Sequence, residues 1–210
     1  MFDMGKLQGL YVITDARLCP GRTHVDIARA AIEGGARIIQ LRDKDASDRE
    51  FYETALECVK LTRARGVMYI VNDRADVAAA VGADGVNVGQ SDLPVSAVRK
   101  VMGPGAIVGV SAATVEEARA AQADGADYVG FGPVFPTGTK LDAGPVSGLE
   151  ILRQVCEELT VTVVAIGGID ISNIAQVRAS GAACAAVVSA VVCAENMARA
   201  TAELIAAFGG

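Results

Sequence analysis

The chain has 210 residues, 51% of them hydrophobic and 21% charged, with a net charge of −6 at pH 7. That much apolar material can fill the core of one large domain spanning residues 1–210 and gives no ground for expecting disorder. The acidic balance argues against a general nucleic-acid or anionic-membrane binder, because such binding rests on clustered positive charge; an anionic ligand here needs local basic residues or a metal.

Residues 1–8 carry Asp3 and Lys6 and lack the apolar core of a signal peptide, and no later stretch runs about 18 apolar residues without a charge or turn. The expectation is a cytoplasmic protein that binds small molecules, with no nucleic-acid or membrane partner and with homo-oligomer formation left open. Five cysteines, Cys19, Cys58, Cys156, Cys184 and Cys193, form an odd set without a C-x-x-C pair or histidines at zinc spacing, and read as reduced thiols. His24, the only histidine, is read as structural or solvated.

In chain order, short β-rich runs alternate with longer amphipathic ones. The expected strands are 10–14, 37–41, 67–71, 85–88, 106–110, 126–129, 161–165 and 183–188, eight in all. Helical stretches fall between them, for example 25–33, 48–65, 114–123 and 148–158. Gly35-Ala36, Gly82-Ala83, Gly125-Ala126 and Gly181-Ala182 each close a helix and lead into an even-numbered strand. Such a repeat suits a closed barrel with alternating layers better than an open sheet, so the fold class expected is α/β, a single-domain (β/α)8 TIM barrel.

In that fold the residues just after each strand share one rim, where barrel enzymes place their chemistry. Unusual polar residues gather there: Gln40, Arg42, Asp43 and Lys44 after the second strand, Asn72 and Asp73 after the third, Ser91 and Asp92 after the fourth, and Ser111 after the fifth. Strand alternation turns Gln40 and Arg42 to the mouth and Leu41 away. The segment Gly130-Phe131-Gly132-Pro133-Val134-Phe135-Pro136-Thr137-Gly138-Thr139-Lys140 cannot continue a strand or start a stable helix, and it ends in hydroxyls, a glycine and an ammonium suited to a phosphate or diphosphate. Arg42, Lys44 and Lys140 could hold an anion from two sides, or could be surface bases paired with Asp43 and Asp45. Asp73 and Asp92, on adjacent strands, suit a Mg²⁺ site that also uses substrate phosphates. They could equally be helix caps, a reading that spacing favours for Asp92. Gly167-Gly168 and Val188-Ser189 lie where barrels frequently build a phosphate site, or they simply turn the chain and cap a helix.

Taken together, Gln-Leu-Arg-Asp-Lys at 40–44, Val-Asn-Asp-Arg at 71–74, Gly-Ala-Asp-Gly-Val at 82–86, Gly-Val-Ser at 109–111, Gly-Pro-Val-Phe-Pro-Thr-Gly-Thr-Lys at 132–140 and Ile-Gly-Gly-Ile at 166–169 resemble the thiamine-phosphate synthase family, nearly end to end. The resemblance implies a (β/α)8 barrel that joins an aminopyrimidine methyl diphosphate to a thiazole phosphate and releases diphosphate. It implies that Gln40, Arg42, Lys44, Asn72, Ser111 and Lys140 hold the pyrimidine diphosphate, with Leu41 and Asp43 taken into the same binding motif. Asp73 and Asp92 would bind Mg²⁺, Thr137, Thr139, Gly168, Val188 and Ser189 would hold the thiazole phosphate, and Gly138 would join the substrate-binding loop and leave it room to close. Arg42, Lys44, Ser111 and Lys140 would be the catalytic set.

The chain departs from the family pattern at Asn87 and Ala113, where histidine is frequent, and at Ser91, where an acidic residue is frequent. Asn87 and Ala113 are expected beside the pocket rather than on the phosphate grips. Rival readings are a thiazole tautomerase, which would not need Arg42, Lys44, Asp73, Asp92 and Lys140; a barrel that binds thiamine phosphate without turnover; and a Schiff-base aldolase using Lys44 or Lys140.

Overall fold

In the computed structural model, which describes residues 7–139 and 144–209, the chain alternates strand and helix throughout. The elements are β1 (Gly9–Thr14), α1 (His24–Glu33), β2 (Ile38–Leu41), α2 (Asp48–Arg65), β3 (Met68–Asn72), α3 (Ala75–Val81), β4 (Gly85–Val88), α4 (Val95–Met102), β5 (Ile107–Ala112), α5 (Val115–Ala123), β6 (Tyr128–Phe131), α6 (Gly148–Glu158), β7 (Thr162–Ile166), α7 (Ile174–Ala179), β8 (Cys184–Val187), α8 (Ser189–Val192) and α9 (Met197–Phe208). Each strand pairs in parallel with the next, and β8 returns to β1, so the sheet closes into an eight-stranded barrel. The (β/α)8 fold and all eight expected strands are present, with ends that shift by one or two residues.

Period-two alternation divides the apolar residues between two cores. Tyr11, Ile13, Ile38, Ile70, Ile107, Tyr128, Val164 and Ala186 point inward and fill the barrel. Leu10, Val12, Ile39, Leu41, Tyr69, Val71, Val129 and Ala165 point outward and meet the helices. The second layer is the larger, because every helix lays one apolar stripe on it. Helix starts follow local chemistry: Thr23 with Asp26 and Ser47 with Glu50 each form a capping box, opening α1 and α2.

The Gly-Ala repeat has a structural cause. Gly82 lies at φ 68° and Gly125 at φ 87°, a region open to glycine, and the following alanine amide reaches back to the helix at Ala83 N–Ala78 O 2.9 Å and Ala126 N–Ala121 O 3.0 Å. The aspartate that comes next in both copies accepts an amide proton of the neighbouring strand, Tyr69 N–Asp84 Oδ2 2.8 Å and Val108 N–Asp127 Oδ2 2.7 Å. The device is not confined to even strands. Gly66-Val67 makes the same return bond before β3, Val67 N–Thr62 O 3.0 Å, so the repeat marks a recurrent αβ turn rather than an alternating layer.

Candidate active site

The rim formed by the C-terminal ends of the strands opens into a cavity of about 740 Å³. Its floor is the upper layer of the barrel interior. Tyr11 and Tyr128 meet edge to face with ring centroids 6.2 Å apart and hydroxyls 3.0 Å apart, and the Gln40 amide donates to Tyr11 at 2.8 Å. Burial pushes both phenol pKa values up, so the floor presents neutral hydroxyls. Tyr128 fits because the residue opposite it is Gly109, where a β-carbon would stand 2.0 Å from the ring.

One wall is basic and its arginine is anchored. Arg42 Nη1 donates to Asp15 Oδ2 at 2.6 Å, and Arg17 grips the same carboxylate through Nε at 3.0 Å and Nη2 at 2.8 Å. Burial alone would raise the Asp15 carboxyl, but the hydrogen bonds and charge of Arg17, with the charge of Arg42, outweigh it and hold Asp15 below its ordinary range. Two residues on, Asp43 turns away from the mouth: its Oδ2 lies 3.1 Å from His24 Nε2, His24 Nδ1 lies 2.8 Å from Thr14 Oγ1, and Asp43 Oδ1 accepts the amides of Asp45 and Ala46. His24 and Asp43 thus brace the loop after β2 that carries Arg42 and Lys44.

The next feature along the rim is acidic. Asp73 is the only non-glycine residue among those described with a positive φ, at 62°. A left-handed non-glycine residue costs on the order of 1–2 kcal/mol, and such strain collects at functional sites. Here it swings the carboxylate over the mouth, where Lys44 Nζ forms an ion pair with Oδ2. Burial raises the Asp73 carboxyl, Lys44 opposes that shift, and the neighbouring Asp92 raises it further, so the two carboxylates share one space. Neither is a helix cap. Arg74 stands at the N-cap of α3 and Pro94 at that of α4, both without a side-chain cap, and Asp92 Oδ2 accepts from Gly89 N–H at 2.7 Å. The capping alternative is overturned for both residues.

The far side is built by backbone. The loop after β6 docks on the end of β7 through Val134 N–Ile166 O at 2.9 Å and Phe135 N–Gly167 O at 3.0 Å. Contact this close requires glycine: a β-carbon on Gly168, at φ 64°, would meet Pro136 O at 2.4 Å. Val188 precedes and Ser189 opens α8, a four-residue helix that follows β8 and is separate from α9. Ser189 therefore begins a short extra helix, and it is not an N-cap.

Of the site residues expected from sequence, Gln40, Arg42, Lys44, Asn72, Asp73, Asp92, Ser111, Thr137, Thr139, Gly168, Val188 and Ser189 all line this cavity. Three do not. Leu41 is fully buried in the helix-facing core, Asp43 braces His24, and Gly138 lies outside the cavity lining between two threonines that belong to it. Lys140 falls outside the described residues. Asn87 and Ala113 form part of the cavity wall rather than its surroundings, as does Ser91. Asp15, Tyr11 and Tyr128 were missed. Asp15 carries the same signal as the others, a polar residue directly after a strand; the tyrosines carry none, because an aromatic on an apolar strand reads as core.

The family model described as thiamine monophosphate synthase matches residues 10–191. The chain belongs to the thiamine-phosphate synthase family. It is 52% identical over 195 residues to the thiamine-phosphate synthase of Methanocella arvoryzae, covering 93% of this chain and 92% of the relative. It is 51% identical to that of Chloroflexus aurantiacus, again over 195 residues, covering 93% and 90%. The solved thiamine phosphate pyrophosphorylase from Pyrococcus furiosus superposes with a TM-score of 0.89 at 45% identity, over 98% of this chain and 96% of that one. Membership in this thiamine-phosphate synthase family makes the chain a transferase of thiamine biosynthesis. No helix among the described residues is long and apolar enough to cross a membrane.

A divalent metal fits the acidic corner by donor type. Asp73 and Asp92 offer hard oxygens facing one space, and their mutual repulsion is a charge imbalance that a cation would relieve. No group of three or more His, Cys, Asp or Glu side chains gathers to cage an ion among the described residues. Two carboxylates plus substrate phosphates is the pattern of Mg²⁺ rather than of zinc.

Proposed function

We propose that this chain, acting as one barrel domain over residues 1–210, condenses an aminopyrimidine methyl diphosphate with a thiazole phosphate, giving thiamine phosphate and diphosphate. The observation that carries this reading is the polarity of the cavity. Two carboxylates and two bases, Asp73, Asp92, Arg42 and Lys44, line the cavity after β2, β3 and β4, and the Gly168 turn with Ser189 lines it after β7 and β8, at the other end. A diphosphate belongs at the first end and a monophosphate at the second, with the two heterocycles between them.

Mg²⁺ held by Asp73 and Asp92 would supply positive charge to the diphosphate oxygens. Arg42, fixed by Asp15, presents a planar fork to the same oxygens, and Lys44 adds a mobile ammonium once it leaves Asp73. Lys140 is assigned to the same group on its place in the Thr-Gly-Thr-Lys motif. The C–O bond to the leaving group breaks, its electron pair stays with diphosphate, and the electron-rich aminopyrimidine stabilises the resulting carbocation until the thiazole nitrogen attacks the same carbon. No protein nucleophile or base is needed. Placing fixed charge where negative charge develops is worth several kcal/mol in a largely dry site. Tyr11, Tyr128 and Gln40 would form the bed of the pyrimidine ring, and the neutral state of the phenols suits an uncharged heterocycle.

Incubation of the purified protein with both substrates and Mg²⁺ tests the reading. Thiamine phosphate and diphosphate should appear in equal amounts; absence of product from active-folded protein would remove it. Borohydride should trap no adduct, since neither Lys44 nor Lys140 forms a Schiff base in this scheme.

A further inference from the structure

We propose that Asn87 is a positioning residue that sets the direction of the Ser111 hydroxyl, making Ser111 a donor committed to the anionic leaving group. Asn87 on β4 and Ser111 on β5 both face the barrel interior, and Asn87 Nδ2 donates to Ser111 Oγ at 3.0 Å. A hydroxyl carries one proton. With an N–H already aimed at its oxygen, Ser111 must send that proton elsewhere, and no acceptor among the described residues takes it. Ser111 lines the cavity, so the remaining direction is toward bound substrate.

The other end of the Asn87 amide is open. Asn87 Oδ1 lies over Gly130, 3.8 Å from where a β-carbon would stand, and accepts no hydrogen bond among the described residues. It is also not one of the sealed, partnerless polar atoms, of which the Tyr69 hydroxyl is the single case among the described residues. Oδ1 is thus open to the cavity, and Nδ2 is engaged. The backbone of Ser111 is held from the same strand end, where Gln90 Nε2 donates to Ser111 O at 2.7 Å. A serine hydroxyl otherwise rotates freely among acceptors; here both its backbone and its oxygen are fixed before substrate arrives, and a pre-aimed donor is the arrangement that stabilises developing charge. An imidazole N–H at position 87 could make the same donation. Asparagine at this position therefore preserves a function rather than losing one.

This inference rests on the diphosphate reading of the cavity, and the test separates the two. Binding of inorganic pyrophosphate with Mg²⁺ is measured by calorimetry, and KM for each substrate by steady-state kinetics, in wild type, N87A, N87S, N87H, S111A and N87A/S111A. N87A and N87S should each weaken pyrophosphate about tenfold, equivalent to about 1.4 kcal/mol. They should raise KM for the pyrimidine diphosphate similarly and leave KM for the thiazole phosphate unchanged. N87H should recover most of the loss. In the S111A background, N87A should cost less than about twofold more, because the interaction it served is already gone. Unchanged pyrophosphate affinity in N87A and N87S, or an equal loss in the S111A background, would overturn the proposal. A wild type that shows this pattern but forms no thiamine phosphate would remove the functional reading and leave the role of Asn87 standing.

Discussion

Asp15 anchors Arg42 at the cavity: Nη1 sits 2.6 Å from Oδ2 of a carboxylate whose side chain is 1% exposed. Asp15→Asn keeps the shape but cannot accept charge-assisted bonds from both Arg17 and Arg42. We expect KM for the pyrimidine diphosphate to rise more than kcat falls, and stability at pH 7 to drop by roughly 1–3 kcal/mol. The folded Asp15 carboxyl is depressed, so its contribution is present above the ordinary carboxylate range and is lost as pH falls through the depressed value. Urea midpoints of wild type and Asp15→Asn should therefore differ at pH 7 and converge below about pH 4.

Asp73→Asn should separate stability from activity. Asparagine tolerates φ 62° as well as aspartate does, and it removes the repulsion from Asp92. Without metal, the melting temperature should stay level or rise, while Mg²⁺-dependent turnover falls by at least about 100-fold, in the range seen when a charge-stabilising group is removed. Asp73→Ala should lose activity and also stability, because alanine tolerates the left-handed conformation at φ 62° less well than aspartate or asparagine. Near-normal Mg²⁺-dependent turnover in Asp73→Asn would contradict a ligand role.

At the other end of the cavity, Gly168→Ala places a β-carbon 2.4 Å from Pro136 O and 2.8 Å from Phe135 Cβ, so the loop after β6 must retreat. KM for the thiazole phosphate should rise by an order of magnitude or more, with pyrophosphate binding little affected, since about 1.4 kcal/mol of lost contact is tenfold. A change confined to the diphosphate side would reverse the assignment of the two ends.

Gly109→Ala acts on the floor. Its β-carbon would overlap Tyr128 at 2.0 Å and drive the ring out of contact with Tyr11. Overpacking of this kind costs about 1–3 kcal/mol. Thermal unfolding should show that loss, and KM for the pyrimidine diphosphate should rise, because the floor is the bed of the pyrimidine ring.

Much of this architecture is legible in the residue order. The eight strands announce themselves as β-branched runs, and the rim follows from polar residues directly after them, which is how Arg42, Lys44, Asp73, Asp92 and Ser111 are found. What sequence cannot give is the facing of side chains within a motif. Asp43 sits between Arg42 and Lys44 and looks like part of the grip, yet loop geometry turns it to His24. Leu41 and Gly138 are likewise motif members that face elsewhere. Asp73 illustrates the converse: nothing local predicts its positive φ, and that one backbone angle separates a cavity-facing carboxylate from a helix cap. Asn87 looked like a lost histidine, and only its contact with Ser111 shows what it does.

The central claim is that the Asp73, Asp92, Arg42 and Lys44 corner receives the diphosphate together with a metal. A crystal structure of the protein with Mg²⁺ and inorganic pyrophosphate tests it most directly. The account predicts metal density touching both Asp73 and Asp92, with diphosphate bridging it to Arg42, Lys44 and the Ser111 hydroxyl. Diphosphate bound only at the Gly168 turn, with no metal between the two aspartates, would contradict it.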